Sequence, residues 1–309
     1  MSESAIGGST PTPQDRAVGV VGLGVMGGAM AATLRRAGWT VVATSRTPAS
    51  RAAAEVDGIR TVETAAQVAE ASPVVVLSLP DAASIRAVLE GPGGLAAGAH
   101  DGLVVVDTST VSPADAIAIG AAMADAGIAY LDVPVSGGPQ AAKNGSLSMM
   151  AGGDADVLER ARPVLETLGS RVVHCGGIGA GSVAKACNQL IVLATIGAVA
   201  EALAIADGAG VDPATVREAM LGGWAASPIL QLHGARMLAR DWVPGGRAAF
   251  HLKDAATLAA LSSASGVRTP VFDAAADYLR ALVDAGGGDL DHSAVYTIVR
   301  GEDPVAGRR

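Results

Sequence analysis

Ala17-Val18-Gly19-Val20-Val21-Gly22-Leu23-Gly24-Val25-Met26-Gly27 is the stretch that decides how this chain of 309 residues folds. An apolar strand runs straight into Gly-x-Gly-x-x-Gly, and an Ala-rich helical pattern opens at Val25. A glycine signature alone is weak. One that follows a strand, opens a helix and heads a βαβ unit is the pattern of a dinucleotide-binding turn. Its glycines permit a tight turn and let the backbone approach a pyrophosphate seated at the helix N-terminus. Gly22, Leu23, Gly24, Val25 and Met26 are therefore candidate cofactor contacts, against the alternative of a Gly-rich turn with no ligand.

Outward from this turn, short Val-rich runs alternate with Ala-rich stretches as far as Cys175. The runs predict strands over 17–22, 40–44, 74–78, 103–107, 129–133, 147–151 and 172–174, with helices between them, for instance over 25–37, 82–89, 113–126 and 156–168. Such alternation implies a mainly parallel sheet covered on both faces. After Gly181 the strand signals stop, and helical patterns cover 182–208, 212–220, 229–240, 252–265, 272–284 and 294–299, broken at Gly, Pro and Asp. The expected organisation is a polar leader over 1–15, an α/β domain over 16–178 and an all-α domain over 179–309. A cleft between two such domains is a common place for a ligand.

In a turn of this kind an Asp or Glu about 20 residues on holds the ribose 2′-hydroxyl of NAD. No acidic residue occurs between Arg16 and Ala54. The second strand ends instead in Thr44-Ser45-Arg46-Thr47, and Ser45, Arg46 and Thr47 suit a 2′-phosphate. The expectation is NADP(H) in preference to NAD(H), against a reading of Arg46 as a solvated turn residue.

Bulk properties narrow the partners. The net charge is −8, divided as −6 over residues 1–178 and −2 over the rest, so neither half has the basic surface that nucleic acid or an anionic membrane needs. The uncharged apolar run over 190–200 ends at Glu201, short of a membrane span. The start, MSESAIGGSTPTPQDR, lacks the basic and apolar regions of a signal peptide and reads as a disordered leader. Cys175 and Cys187 match no metal-ligand spacing, so no metal is expected. They read as small buried apolar residues of a protein in a reducing compartment such as the cytoplasm.

Three of the 22 basic residues are lysine, Lys143, Lys185 and Lys253, against nineteen arginines. Lys185 is the one charged residue between Val172 and Ala200. An ammonium in apolar surroundings loses hydration and can exchange a proton near neutral pH, as a guanidinium cannot, which is the profile of a catalytic acid or base. The other reading is a snorkelling side chain whose head reaches water. On a helix, Asn188 and Gln189 lie at i+3 and i+4 from Lys185, so one face presents an ammonium and two amides, suited to a polar substrate or to an interhelical hydrogen-bond cluster. Asp132-Val133-Pro134-Val135-Ser136-Gly137-Gly138 follows a strand. Its Ser136, Gly137 and Gly138 can aim a hydroxyl and successive amides at a carboxylate, or form an ordinary tight turn.

GLGVMGGAM, DVPVSGGPQAAKNGSLSMMAGG, GAGSVAKACNQL and FHLKD occur in that order. Over residues 17 to about 300 the chain resembles the β-hydroxyacid dehydrogenases, a family that includes 3-hydroxyisobutyrate dehydrogenases and tartronate semialdehyde (2-hydroxy-3-oxopropionate) reductases. The resemblance implies a Rossmann-type N-terminal domain, an all-helical C-terminal domain, Lys185 as the catalytic lysine, and the Ser136 turn as the seat of the substrate carboxylate. It also implies that Leu79, Pro80 and Thr110 line the dinucleotide, that Lys253 lies beside the cofactor, and that Lys143 is ordinary surface. A homodimer or homotetramer is expected on the same ground.

Many members carry two asparagines after the catalytic lysine where this chain has Asn188 and Gln189, and a phenylalanine where it has Trp224, a residue the resemblance places at the substrate pocket. The Asn-Gln version, residues 222–237 and residues 286–294 resemble the tartronate semialdehyde reductases. The implied activity is hydride transfer between NADP(H) and a short 3-hydroxy acid or its 3-oxo partner, the substrate being a small carboxylic acid. Alternatives are 3-hydroxyisobutyrate, succinic semialdehyde, glyoxylate or threonate-type substrates, an imine reductase, and a non-catalytic NADP-binding module.

Overall fold

The computed structural model describes residues 16–306. The leader expected over 1–15 lies outside the described residues. The chain divides into two compact units, one up to Lys185 and one from Ala186 onward.

The first unit begins with strand β1 (Ala17–Val21), helix α1 (Val25–Arg36), β2 (Thr40–Thr44), α2 (Pro48–Val56), β3 (Arg60–Thr61), α3 (Ala65–Glu70), β4 (Val74–Leu77) and α4 (Ala82–Glu90). It continues with β5 (Val104–Asp107), α5 (Pro113–Asp125), β6 (Ala129–Asp132), β7 (Val135–Ser136), α6 (Gly138–Asn144), β8 (Leu147–Gly152), α7 (Ala155–Leu168) and β9 (Gly169–Gly176). The sheet order is β3-β2-β1-β4-β5-β6-β8-β7, with β9 paired to β8. Pairing is parallel from β3 to β6 and antiparallel where β8 meets β6 and β7.

The Val-rich runs form this sheet because successive side chains point to opposite faces, and both faces are covered. Val18, Val20, Val41, Ala43, Val74, Val76, Val104 and Val106 pack with Met30, Leu34, Leu158 and Leu165 from α1 and α7. Val21, Val42, Val75, Leu77 and Val105 pack on the other side with Val68, Ile85 and Ile119 from α3, α4 and α5. Each such side chain contributes about 1.5–3 kcal/mol when fully buried. The sheet has β1 flanked by β2 and β4, so the chain winds away from β1 in both directions. The crevice beyond the carboxyl ends of β1 and β4 is the topological switch point at which open α/β sheets take their ligands.

Helix α8 (Ala180–Gly208) starts in the first unit and its later turns belong to the second. The second unit continues with α9 (Pro213–Leu221), α10 (Pro228–Ala239), α11 (Ala248–Ser265), α12 (Pro270–Leu282) and α13 (Val295–Val299). Proline opens α9, α10 and α12, where its missing N–H costs nothing. Asp212 and Ser227 cap the first two by accepting from backbone N–H groups, each cap contributing about 1 kcal/mol. The core gathers Leu193, Ile196, Leu203, Leu230, Met237, Leu258, Phe272, Leu279 and Tyr296.

Three features differ from the sequence reading. The short strands β3 and β7 carry too few residues to show a period, and the Ser136-Gly137-Gly138 turn leads directly into α6. Cys175 and Cys187, expected to be buried, are both exposed, on β9 and on α8. Finally, α8 is 29 residues long with a mean hydropathy of 2.0 over its most apolar window, so by length and composition it could cross a membrane, although the uncharged run within it is short.

Candidate functional site

At the switch point the glycines of the first turn divide by function. Gly22 has φ +96°, and a Cβ there would run into the Ser78 carbonyl, while one on Gly27 would run into the Gly22 carbonyl. These two are glycine because the loop packs on itself and on the residue after β4. Gly24, which caps α1, is different: a Cβ built there meets nothing within 4 Å. Protein packing does not require a glycine at that position, but a ligand approaching the backbone at the head of α1 does. The residues present thus fit a dinucleotide.

A cleft of about 640 Å³ opens at this turn. It brings together Gly22, Leu23, Gly24, Ser45, Arg46, Thr47, Leu79 and Pro80, eight of the predicted cofactor residues. Val25 is exposed on the first turn of α1, Met26 packs on the core, and neither they nor Thr110 line the cleft. Lys253 belongs to the second unit, on α11.

Among the cleft residues that sequence reasoning did not single out are a second guanidinium and a carboxylate. Arg51, one turn into α2, donates to the Ser45 carbonyl at 2.5 Å and pairs with Glu63 at 3.5 Å. No motif marks either residue, since they come together only when α2 and the segment after β3 fold onto the end of β2. Behind Leu79, Ser109 Oγ accepts from the Leu79 N–H at 2.9 Å, and buried Asp107 holds that turn by accepting from Ser109 N and Tyr130 Oη, both at 2.9 Å. Burial pushes the Asp107 carboxyl and the Tyr130 hydroxyl above their ordinary ranges.

The other candidate region of the first unit is organised by Asp132, 1% exposed at the end of β6. Its Oδ1 accepts from Gly179 N at 2.7 Å, and its Oδ2 accepts from Ser182 N at 2.8 Å and Ser182 Oγ at 3.0 Å. One carboxylate thereby ties down the start of α8. Gly152 and Gly181 make room, because a Cβ on Gly152 would strike Asp132 Oδ1 and one on Gly181 would strike the Met150 and Asp132 carbonyl oxygens. Three residues after Ser182, Lys185 is 8% exposed and donates from Nζ to the Val135 carbonyl at 2.9 Å. That carbonyl lies one residue before Ser136, so the ammonium is held beside the Ser136-Gly137-Gly138 turn. Gly137 and Gly138 have φ +126° and +67°, a region that favours glycine. The motifs DVPVSGG and GAGSVAK thus meet in one hydrogen-bonded arrangement.

In the second unit the amides of α8 join a polar chain. Asn188 Nδ2 donates to Gln189 Oε1 at 3.1 Å, and Gln189 Nε2 donates to Asp254 Oδ2 at 2.8 Å and lies 3.3 Å from His251 Nδ1. Sequence reasoning did not single out Asp254, although it closes the FHLKD motif. Trp224 is fully exposed between α9 and α10.

His251 packs at a tilt on His292, and His292 likewise on His233, with ring centroids 4.1 and 4.6 Å apart. His233, Asp291 and His292 have ligand atoms within 4.8 Å of one another. As a metal site the cluster is poorly suited. The Asp291 carboxylate already accepts from Arg236 Nη1 at 3.1 Å, from the amides of Gly245 and Gly246 at 2.9 and 3.2 Å, and from Ser293 N and Oγ at 3.1 and 2.6 Å. A guanidinium in contact with that carboxylate would repel a cation.

A family model described as the NAD binding domain of 6-phosphogluconate dehydrogenase matches residues 17–177. A second, described as NAD-binding of NADP-dependent 3-hydroxyisobutyrate dehydrogenase, matches residues 179–299. The chain is 39% identical over 278 residues to 2-hydroxy-3-oxopropionate reductase of Escherichia coli, covering 90% of this chain and 95% of that one. The chain belongs to the β-hydroxyacid dehydrogenase family. To 3-hydroxyisobutyrate dehydrogenase of Pseudomonas aeruginosa this β-hydroxyacid dehydrogenase is 34% identical over 295 residues, 93% of its own length and 99% of the relative's. The crystal structure of 3-hydroxyisobutyrate dehydrogenase from Salmonella typhimurium superposes with a TM-score of 0.83 at 31% identity, covering 91% of this chain and 99% of that one. The β-hydroxyacid dehydrogenase is thus an oxidoreductase with an NAD(P)-binding α/β domain of Rossmann type followed by a helical region.

Proposed function

We propose that this enzyme interconverts short 3-hydroxy acids and their 3-oxo partners, with 2-hydroxy-3-oxopropionate as its leading substrate, and that it prefers NADP(H) to NAD(H). The observation that carries the reading is the buried Lys185 ammonium, held at 2.9 Å by the carbonyl that adjoins Ser136. The substrate choice is supported by the name of the 39% identical Escherichia coli relative. The cofactor choice is supported by two guanidinium groups, Arg46 and Arg51, at the cleft where no acidic residue ends β2, although Glu63 also lines it.

Ser136 and the amides of Gly137 and Gly138 hold the substrate carboxylate. When bound, the nicotinamide supplies hydride to the carbonyl carbon, or accepts it in oxidation. Lys185 donates a proton to the carbonyl oxygen as it becomes a hydroxyl, and takes that proton back, as the neutral amine, in the reverse direction. Asn188 and Gln189 serve the orientation of the reacting oxygen, Lys253 contacts the cofactor, and Trp224 borders the substrate. The same reading makes the enzyme a cytoplasmic homodimer or homotetramer that acts without a metal.

The test is a steady-state panel of 2-hydroxy-3-oxopropionate, methylmalonate semialdehyde, succinic semialdehyde and glyoxylate, each with NADPH and with NADH. Lys185→Ala should reduce turnover by a factor on the order of 10² to 10⁴ while NADPH still binds. A fully active alanine variant would overturn the catalytic assignment, and a higher efficiency with NADH would overturn the cofactor assignment.

A further inference from the structure

Arg46, Arg51 and Glu63 are the charged side chains that line the cleft beside the glycine turn. Arg46 is exposed. Arg51 is engaged twice: Nη1 donates to the Ser45 carbonyl at 2.5 Å, and Nη2 stands 3.5 Å from Glu63 Oε2. The first contact seats the guanidinium against the end of β2. The second is longer than an ordinary charge-assisted bond, and the Glu63 side chain is 79% exposed, so the pair is loose and solvated. A carboxylate held in this way gives up its guanidinium to a stronger anion.

Glu63 owes its place to the backbone and not to Arg51. Val62 N donates to the Ala43 carbonyl at 2.9 Å and Thr44 Oγ1 to the Val62 carbonyl at 2.7 Å, which straps the residue before Glu63 to the end of β2. On the other side the N–H groups of Glu63 and Thr64 donate to Gln67 Oε1 at 3.1 and 3.2 Å, as part of the capping box that starts α3. The cleft thus receives from the segment after β3 the carboxylate that the end of β2 does not carry.

Resting on the cofactor preference proposed above, we propose that Glu63 is a specificity-determining residue that competes with the 2′-phosphate of NADP(H) for Arg51, and so limits that preference and keeps NAD(H) acceptable to the cleft. A phosphate monoester is close to a dianion at neutral pH and meets a guanidinium through two parallel hydrogen bonds. Arg51 therefore leaves Glu63 for it, and the carboxylate is stranded beside a second anion. A carboxylate within one ion-pair length of a dianion opposes binding by a factor on the order of ten in water. A 2′-hydroxyl is neutral. It leaves Arg51 and Glu63 paired, and Glu63 accepts its hydrogen, as an acidic residue at the end of β2 does in turns that bind NAD.

The probes are 2′-phospho-ADP-ribose and ADP-ribose, which differ in the 2′-phosphate and lack the nicotinamide, titrated calorimetrically into the full-length chain. Wild type should bind both and favour the phosphorylated one. Glu63→Gln keeps the shape of an exposed side chain, and should tighten 2′-phospho-ADP-ribose by about tenfold while leaving ADP-ribose unchanged or weaker. Arg51→Met keeps the apolar stem and removes the guanidinium, and in that background the same change should gain no more than about threefold. An unchanged ratio of the two affinities in Glu63→Gln overturns the proposal. So does a tenfold gain that persists in the Arg51→Met background, because Glu63 then acts on the phosphate without Arg51, and so does a wild type that binds the phosphorylated probe alone. A wild type that binds ADP-ribose the more tightly overturns the preference for NADP(H), yet supports the role of Glu63 if Glu63→Gln still shifts the ratio tenfold through Arg51. Binding of neither probe overturns both readings together.

Discussion

Asp132 in the α/β unit and Asp291 in the helical unit are buried alike, at 1% and 0% exposed, and both collect N–H and O–H donors from loops that must be held together. Their proton affinities are displaced in opposite directions. Burial raises the Asp132 carboxyl above its ordinary range, and the donors from Gly179 and Ser182 only partly offset it. Asp107 faces Asp132 across the β5–β6 register and is raised as well, by burial and by the neighbouring charge. At Asp291 burial acts in the same sense, but the His233 imidazole 3.6 Å away, the His292 ring and the Ser293 donors outweigh it and hold the carboxyl far below its ordinary range, and the Arg236 guanidinium stands at 3.1 Å on the same carboxylate. Burial in turn pushes the His292 imidazole well below its ordinary range. Amide and hydroxyl donors alone moderate the cost of burying a charge, whereas at Asp291 imidazole and guanidinium neighbours are added and the balance reverses.

The comparison is most directly broken by removing each carboxylate. Asp291→Ala takes the buried carboxylate from Arg236, whose side chain is 15% exposed and keeps only the more exposed Asp241 at 3.3 Å, and leaves the amides of Gly245 and Gly246 without their acceptor. It should destabilise the protein by about 3–5 kcal/mol in urea unfolding. Asp132→Ala leaves only neutral donors without a partner and should cost about 1–3 kcal/mol in the same assay. Equal losses would remove the distinction between the two sites. Asp132→Ala should also lower turnover by up to about 10²-fold with nucleotide binding retained, because it frees the start of α8 and lets Lys185 drift from Val135.

The two units also differ in how far their sequences could be read. In the first, strand period and glycine spacing are local signals, so the cofactor turn, the sheet and the end of β2 were legible, down to Arg46 at the cleft. Arg51 and Glu63 were not, since their partnership arises from packing between segments with no common motif. Lys185 could be singled out as an ammonium in an apolar run. Its orientation could not, because it depends on Asp132 some 50 residues earlier, in a motif whose pattern points to Ser136 and its glycines. In the second unit the helices were visible from period and caps, but helix interiors carry no pairing register. Asp254 could not therefore be matched to Gln189, nor Asp291 to Arg236. The expectation of buried cysteines failed for a related reason: composition says that a thiol suits a core, and nothing local says which side of β9 or α8 faces outward.

The smallest effect, and the one that best sharpens the comparison, is the pH dependence of stability. A carboxyl whose pKa is depressed on folding contributes stability that is fully present above the unfolded value, near 3.8, and is lost as pH falls through the folded value. A carboxyl whose pKa is raised on folding behaves oppositely: between 3.8 and its folded value the native state binds more protons than the unfolded chain, so stability falls as pH rises. Asp107→Asn and Asp291→Asn isolate the two signs, since asparagine keeps the shape and removes the titration. Measured by thermal or urea unfolding between pH 4 and pH 7, the stability of Asp107→Asn relative to wild type should improve with rising pH. That of Asp291→Asn should stay level and at its poorest across this window and recover only below about pH 3.8, where protonation of the unfolded chain begins to remove from the wild type the stability that the variant lacks. Parallel profiles for the two variants would mean that the imidazole and guanidinium neighbours of Asp291 do not set the difference between the units.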